Sequence, residues 1–444
     1  DATGGRLGDG VGIPWFACPP YQEAWCDPCS GLPTPGYDGT GGAQMDNDIY
    51  IQTSDDQGVT WNPRQNIANV GPYGEPAWKA YCDASILFDQ SGYLHLIWHG
   101  CPWPADPELD AIFEEDWDQV EARLFHWSEN VPYIRTIADH NYSSGDSCGP
   151  PIWGINVAKM TLSECDGKLY ALFTQFNDIP NNVENDCAEW GYPDVYWGAA
   201  NGDLWVSISS DGGMTWDAQR NLTNSYSPHC DPVAGEDCQN DYWASMVRWG
   251  RQVQTGEDWS AAEIVDPSGG ASPTDFYLDI QYVNDIDAGG AVQDEGTWQY
   301  CPIKWFRMPC VEPVAAPLAI FTPTRYGDPA WGHPGEQVDS FITIENAGNM
   351  ELNWTATVEE YNGAAGWLRM GSYAGTIPSG MGNVATAEVI FQLEKKMAAQ
   401  NWDRALGRNR DLTYNKMPLA DFYALAPDVP LKANGKATFG IDAE

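Results

Sequence analysis

Carboxylates are the side chains most available for chemistry in this sequence. The 444 residues include 63 Asp and Glu against 22 Lys and Arg. Hydrolysis of a glycosidic bond needs only two carboxylates at a suitable separation, so this abundance excludes nothing. The densest acidic run contains Glu114, Glu115, Asp116 and Asp118. Such a run is typical of a solvated loop and does not by itself indicate a reaction.

A short acidic motif suggests a cation site. The segment Asp285-Ile-Asp287-Ala-Gly289 is similar to a short calcium loop, since calcium prefers several oxygen ligands. A third side-chain ligand and a distal Glu at fixed spacing are missing from it. The sequence establishes no cofactor, and calcium at Asp285 and Asp287 is the one candidate. The histidines offer no metal-spaced pair, although His95 and His99 are expected on one side of a strand.

The cysteines predict disulfides. An even count in sequence rich in loops is typical of disulfide bonding in an oxidising compartment. Metal or redox chemistry at Cys26-Asp-Pro-Cys29 is the alternative, but no second C-x-x-C and no nearby His supports it. All 12 precede residue 311: Cys18, Cys26, Cys29, Cys82, Cys101, Cys148, Cys165, Cys187, Cys230, Cys238, Cys301 and Cys310. We therefore expect a secreted, extracellular or cell-surface protein.

The charge of the chain limits its partners. A formal net charge of −41 repels the phosphates of nucleic acids and anionic membrane surfaces. No apolar run is long enough to span a bilayer, so we expect a chain that does not cross a membrane. The sequence starts at Asp1 rather than Met. This start leads us to expect either a removed export signal or a fragment of a longer precursor.

Two segments of the sequence repeat one turn pattern without gaps. Each has a strand before it and a strand after it, and each contains Ser-x-Asp-x-Gly-x-Thr-Trp. The Gly provides backbone freedom for a turn, the Asp can accept hydrogen bonds from turn amides, and the Trp can pack between sheets. We assign these residues a structural role and no catalytic one. They are Ser54, Asp56, Gly58, Thr60 and Trp61, then Ser209, Asp211, Gly213, Thr215 and Trp216.

The repeated motif resembles the Asp-box of the sialidase-like, or BNR-repeat, β-propeller family. That resemblance implies an all-β fold in which each box joins the third and fourth strands of a blade. Strand pairs of the same rhythm indicate about four blades within a domain at 45–312, against about six in a sialidase propeller. Sialidase chemistry would require an arginine triad, a Tyr nucleophile with its Glu, and an Asp acid/base. No arginine triad matches, so no catalytic residue is assigned.

The remaining regions differ in composition. Residues 1–44 are rich in Gly, Pro and Cys and predict a disulfide-pinned loop region, and residues 313–337 predict a Pro-rich linker. Residues 338–393 alternate apolar and polar positions and resemble immunoglobulin-like accessory modules of bacterial secreted proteins. Residues 394–444 carry 8 basic and 7 acidic side chains. We expect this extension to complete the sandwich, or to mediate self-assembly by pairing Lys436–Ile441 with a neighbouring chain.

Two functions remain open from the sequence. The first is a non-enzymatic propeller that binds protein or carbohydrate at the cell surface, or forms part of a surface assembly. Its basis is a strong scaffold motif without a matched catalytic set. The alternative is a glycoside hydrolase or lyase that uses carboxylates in the central funnel of the propeller.

The cysteine pattern generates a first prediction. Thiol counting under denaturing, non-reducing conditions should detect few free thiols, because most cysteines are expected to be oxidised. A count above about four free thiols would contradict the disulfide assignment.

Overall fold

The computed structural model describes most of the chain in ranges separated by gaps. These ranges are 3–4, 11–17, 48–68, 77–103, 122–140, 156–176, 186–188, 199–231, 234–252, 276–291, 296–322, 331–332, 337–360, 368–371, 374–379, 383–392, 431–432 and 437–443. The described residues form strands, turns and loops without an α-helix, so the expected all-β class is confirmed. The acidic run Glu114–Asp118 and the Cys26–Cys29 motif lie outside the described residues.

The chain divides into two units, residues 1–315 and 316–444.

The first unit contains four antiparallel four-stranded sheets, here called the first to fourth sheets in chain order. The first sheet comprises β1 (Thr3–Gly4), β2 (Val11–Ala17), β3 (Asp48–Ser54) and β4 (Gln65–Asn66). The second comprises β5 (Ala77–Phe88), β6 (Leu94–Trp103), β7 (Ala122–Ser128) and β8 (Arg135–His140). The third comprises β9 (Val157–Cys165), β10 (Lys168–Phe176), β11 (Gly202–Ser209) and β12 (Arg220–Asn221). The fourth comprises β13 (Asn240–Met246), β14 (Arg251–Gln252), β15 (Phe276–Asp285) and β16 (Ile303–Pro309).

Consecutive sheets of the first unit pack face to face through apolar side chains. Strands in such a stack are buried on both faces, which explains runs such as Leu169–Phe173 in which every residue is buried. Between the second and third sheets lie Leu87, Ile97, Leu124, Leu162, Phe173 and Trp216. Between the third and fourth lie Leu172, Val206, Leu278, Phe306 and Met308.

The innermost strands β5, β9 and β13 lie side by side. Lys159 near the start of β9 contacts Asp83 of β5, and the Glu164 carboxylate near its end accepts a hydrogen bond from the Gln90 amide at 2.7 Å. A parallel bridge joins Glu164 to Trp249 beyond β13. The three strands therefore run in one direction and begin at one edge of the unit.

Disulfides hold the third and fourth sheets. Cys165 at the end of β9 is bonded to Cys310, which follows β16. A second disulfide joins Cys230 to Cys238, and Cys187 is also disulfide-bonded. Cys301 is a free thiol.

The second unit consists of three small sheets. Its strands are β17 (Ala319–Thr322), β18 (Trp331–Gly332), β19 (Gln337–Asn346), β20 (Leu352–Glu360), β21 (Leu368–Met370), β22 (Ala374–Ile377), β23 (Val384–Gln392), β24 (Leu431–Lys432) and β25 (Ala437–Ala443). The sheet orders are β17-β19-β23-β21, β22-β20-β25 and β18-β24. Buried apolar residues come from both larger sheets: Ile320, Ile342, Ile344, Leu352, Trp354 and Ile377.

Two regions that the sequence predicts as loop and linker contain strands that pair with their neighbours. The region 1–44, expected as a loop, contributes β2, which pairs with β3 along its whole length, from Val11 opposite Ser54 to Ala17 opposite Asp48. The region 313–337, expected as a linker, contributes β17, which pairs with β19. A short strand is defined by its pairing with a neighbouring strand more than by an alternating sequence pattern. The sequence therefore does not indicate β2 or β17. In the C-terminal extension, β25 pairs with β20 of the same chain.

Several carboxylates are buried at the starting edge of the third and fourth sheets. Asp203 accepts hydrogen bonds from the Thr223 hydroxyl and the Ser225 amide, and Asp241 accepts them from the Ser225 hydroxyl and the Asn284 side-chain amide. Burial raises the pKa of Asp241 to about 6 and also raises the pKa of Asp186 and Asp285.

These raised pKa values predict an unusual pH dependence of stability. Between pH about 4 and 6 the folded protein holds protons that the unfolded chain releases, so the free energy of unfolding should fall as pH rises. Over its full titration range Asp241 alone accounts for about 3 kcal/mol, of which about 2 kcal/mol is lost between pH 4 and 6. Asp241→Asn should flatten the slope in urea denaturation series at pH 4, 5, 6 and 7. The exposed Asp55→Asn is the control, and an unchanged slope in Asp241→Asn would contradict the prediction.

Candidate functional site

The two repeated turns have one hydrogen-bonding scheme. The Asp56 carboxylate accepts from the Thr60 amide at 2.7 Å and the Thr60 hydroxyl at 2.6 Å, and Asp211 accepts from Thr215 at 2.9 and 2.6 Å. Ser54 accepts from the Gly58 amide at 2.8 Å. The Thr60 bonds lower the pKa of Asp56 to about 2. These polar groups bond within their own turns, which leaves little capacity for a ligand.

The two turns differ in their surroundings. Both join the third and fourth strands of their sheets, β3 to β4 and β11 to β12. Trp216 is fully buried against His126, whereas Trp61 is 38% exposed. Gly58 and Gly213 have φ values of 85° and 89°, which an L side chain rarely adopts.

The two candidate calcium ligands anchor a loop. Asp287 accepts hydrogen bonds from the amide and hydroxyl of Thr297, and Asp285 accepts one from the thiol of Cys301. Among the described residues no group of three or more His, Cys, Asp or Glu side chains could hold a metal. Calcium binding at Asp285 and Asp287 stays a prediction. His95 and His99 contact different partners, the first His126 and the second β9.

A different set of residues converges on the innermost strands. Each of β5, β9 and β13 has a β-bulge, at Ala80/Ala84, opposite Leu172/Thr174 and at Tyr242/Ser245. A bulge adds an unpaired residue and redirects its side chain, which is why bulges are common beside functional sites. The three bulges contribute Asp83, Lys159 and Trp243, here called the bulge cluster.

Direct contacts join the bulge cluster. Lys159 Nζ donates to Asp83 Oδ2 at 2.8 Å and lies 4.3 Å from the centroid of the Trp243 ring. The Asp83 and Lys159 side chains are 26% and 17% exposed, and Trp243 is 57% exposed. The cluster therefore combines a partly exposed ion pair with a half-exposed indole, and the ammonium group of that pair lies over the indole ring.

Two members of the bulge cluster have a left-handed backbone. Lys159 has φ 48° and Trp243 has φ 56°. This conformation costs a bulky side chain about 1–2 kcal/mol. Strain of this kind persists where the surrounding structure enforces it, and it concentrates at binding and active sites.

His99 fixes the position of Asp83. The Asp83 amide donates to His99 Nε2 at 3.1 Å, and the opposite ring nitrogen, Nδ1, donates to the Val157 carbonyl at 2.6 Å. These contacts assign the proton to Nδ1. Burial lowers the pKa of His99, so the neutral ring is favoured. One imidazole thus ties the bulge of β5 to the start of β9.

Sequence reasoning missed the bulge cluster. Lys159 lies within an alternating strand pattern and Trp243 is one of 22 tryptophans, so neither residue is distinctive. Bulges depend on pairing between strands and have no reliable sequence signature at these positions. The residues of the bulge cluster come from three separate sheets, and their proximity requires the packing of those sheets.

Comparisons with known proteins gave weak similarities. No family model and no curated protein matches the chain. A protein of unknown function from Dyadobacter fermentans has 9% identity and a TM-score of 0.29, with 88% of this chain and 75% of that chain covered. An α-L-arabinanase from Penicillium chrysogenum has 12% identity and a TM-score of 0.29, with 89% and 92% covered. A sialidase from Trypanosoma rangeli has 10% identity and a TM-score of 0.26, with 91% and 56% covered. Similarity at this level carries no argument about fold or activity.

The part of the chain that the structure describes contains no helix with the length and apolar character of a membrane span.

The left-handed backbone at Trp243 generates a prediction. Trp243→Gly should be more stable than Trp243→Ala by about 1 kcal/mol, because only glycine adopts this conformation without cost. At Ser245 on the same strand, where φ is not positive, the glycine variant should instead be about 0.5–1 kcal/mol less stable than the alanine variant. Chemical denaturation of the four variants measures both differences. A Trp243→Ala variant that is more stable than Trp243→Gly, as at Ser245, would show that Trp243 is unstrained.

Proposed function

We propose that the bulge cluster binds carbohydrate and that the protein is a glycan-binding protein outside the cell. The observation that carries this proposal is Trp243, more than half exposed and held in a strained backbone beside a paired Asp and Lys. One part of this ring contacts Lys159 and Tyr242, and more than half of it faces solvent. The exposed part of the ring is free to pack against a ligand, which is the role that we give it.

The chemistry of the cluster fits a sugar. The C–H face of a pyranose or furanose ring packs on an open indole face, and its hydroxyl groups pair with charged acceptors and donors at the edge. Asp83 supplies acceptor oxygens and Lys159 supplies donors. The charge of −41 opposes anionic ligands at long range, so a neutral glycan is favoured.

The scaffold is part of the same proposal. The first unit is an Asp-box β-propeller in which the four sheets serve as blades, supported by the matching hydrogen bonds of the two turns between third and fourth strands. The second unit is an immunoglobulin-like accessory module, supported by buried apolar residues on both of its larger sheets. The disulfides support a location outside the cell.

Glycoside hydrolysis is the second candidate function. Asp83 favours it, since this carboxylate lies on an innermost strand beside the exposed Trp243. A hydrolase of the usual kind needs a second carboxylate across the scissile bond. Release of reducing sugar by the wild type, abolished in Asp83→Asn, would establish hydrolysis. Binding without release would favour the glycan-binding function.

Affinity electrophoresis and calorimetry test the proposed binding. The probes are neutral arabino-, xylo- and gluco-oligosaccharides, with sialyllactose as an anionic comparison. Trp243→Ala should weaken binding of the preferred neutral glycan at least tenfold, about 1.4 kcal/mol, with an unchanged circular dichroism spectrum. Tyr93→Ala, an exposed aromatic in the β5–β6 turn, is the matched control and should bind as the wild type does. Full affinity in Trp243→Ala would refute the proposal.

A further inference from the structure

Two aromatic side chains project from the loop between β15 and β16. Trp298 is 75% exposed and Tyr300 is 87% exposed. Their ring centroids are 5.2 Å apart with an interplanar angle of 72°. The two rings expose apolar surface side by side. A ligand that covers them removes that apolar area from water, which is favourable.

The loop that carries these rings is anchored. The Thr297 amide and hydroxyl donate to Asp287, and the Cys301 thiol donates to Asp285 at 3.1 Å. Gly296 approaches the Asp287 carbonyl so closely that an added Cβ would lie 3.0 Å from it. The rings are therefore presented by a fixed segment, and a ligand that covers them loses little conformational entropy in the loop.

The aromatic loop and the bulge cluster share one edge of the fourth sheet. Asn240 at the start of β13 pairs with Asp285 at the end of β15, where the loop begins. Trp243 lies three residues into β13 from that edge, about 10 Å along an extended strand. One further strand separates β13 from β16. A ligand of several rings could reach from Trp243 to the aromatic loop, whereas a single ring could not.

We propose that the bulge cluster and the aromatic loop form one extended binding surface for a neutral polysaccharide, with Trp298 and Tyr300 holding the chain beyond the rings bound at Trp243. This inference rests on the proposed function. Gln299, which lies between the two aromatics, is polar and exposed, which suits a ligand with hydroxyl groups along its length. Net charge again opposes a polyanion.

Dependence of affinity on chain length tests the inference. The probes are arabino-, xylo- and cello-oligosaccharides of two to ten rings and the corresponding polymers, titrated by calorimetry and run in native gels. The double variant Trp298→Ala/Tyr300→Ala should bind dimers as the wild type does and lose at least tenfold affinity for the longest chains. Trp243→Ala should lose affinity for every length, and Tyr93→Ala for none.

The outcomes separate this inference from the proposed function. If the double variant binds long chains with full affinity while Trp243→Ala is impaired, the extended surface is refuted and the proposed function stands. If the double variant is impaired while Trp243→Ala binds normally, both are refuted, because the loop then acts without the bulge cluster. Absence of wild-type binding to every probe also refutes both. Circular dichroism of each variant confirms folding, and since both rings are largely exposed their removal should not affect it.

Discussion

The common alignment of β5, β9 and β13 is the constraint on which the rest of the first unit depends. Polar contacts fix this alignment near both ends of β9. Near its start, Lys159 forms an ion pair with Asp83. Near its end, the Glu164 carboxylate accepts a hydrogen bond from the Gln90 amide, and a backbone bridge joins Glu164 to Trp249. Apolar packing alone would tolerate sliding between sheets, because burial is not directional. Directional hydrogen bonds specify one alignment, and that alignment brings three bulges together.

The sequence was informative where structure is local. The two Ser-x-Asp-x-Gly-x-Thr-Trp turns can be predicted because the side-chain hydrogen bonds of their Ser, Asp and Thr residues close within eight residues, 54–61 and 209–216. The all-β class follows from turn residues and strand patterns. The equivalence of the two Trp residues did not follow: Trp216 is buried and Trp61 is partly exposed, since burial depends on the neighbouring sheet.

Non-local features were out of reach of sequence reasoning. The strand β2 is visible only through its pairing with β3, and the bulge cluster requires three sheets that are separated by up to 160 residues between Asp83 and Trp243. Asp285 and Asp287 illustrate a related limit. Their spacing fits a cation, yet the same oxygens accept hydrogen bonds from Thr297 and Cys301, which lie too far along the chain to be included in a local motif.

The Cys165–Cys310 disulfide has a mechanical consequence for a protein attached to a surface or a polymer. It closes a covalent loop across a sequence separation of 145 residues, and this loop contains β10 to β16. Tension applied between the two ends of the chain passes along the backbone to Cys165, crosses the disulfide, and continues from Cys310. The strands inside the loop carry none of that tension. Trp243 and the aromatic loop therefore lie in a segment that stretching cannot extend directly, so their spacing would be preserved under shear that unravels the strands outside it.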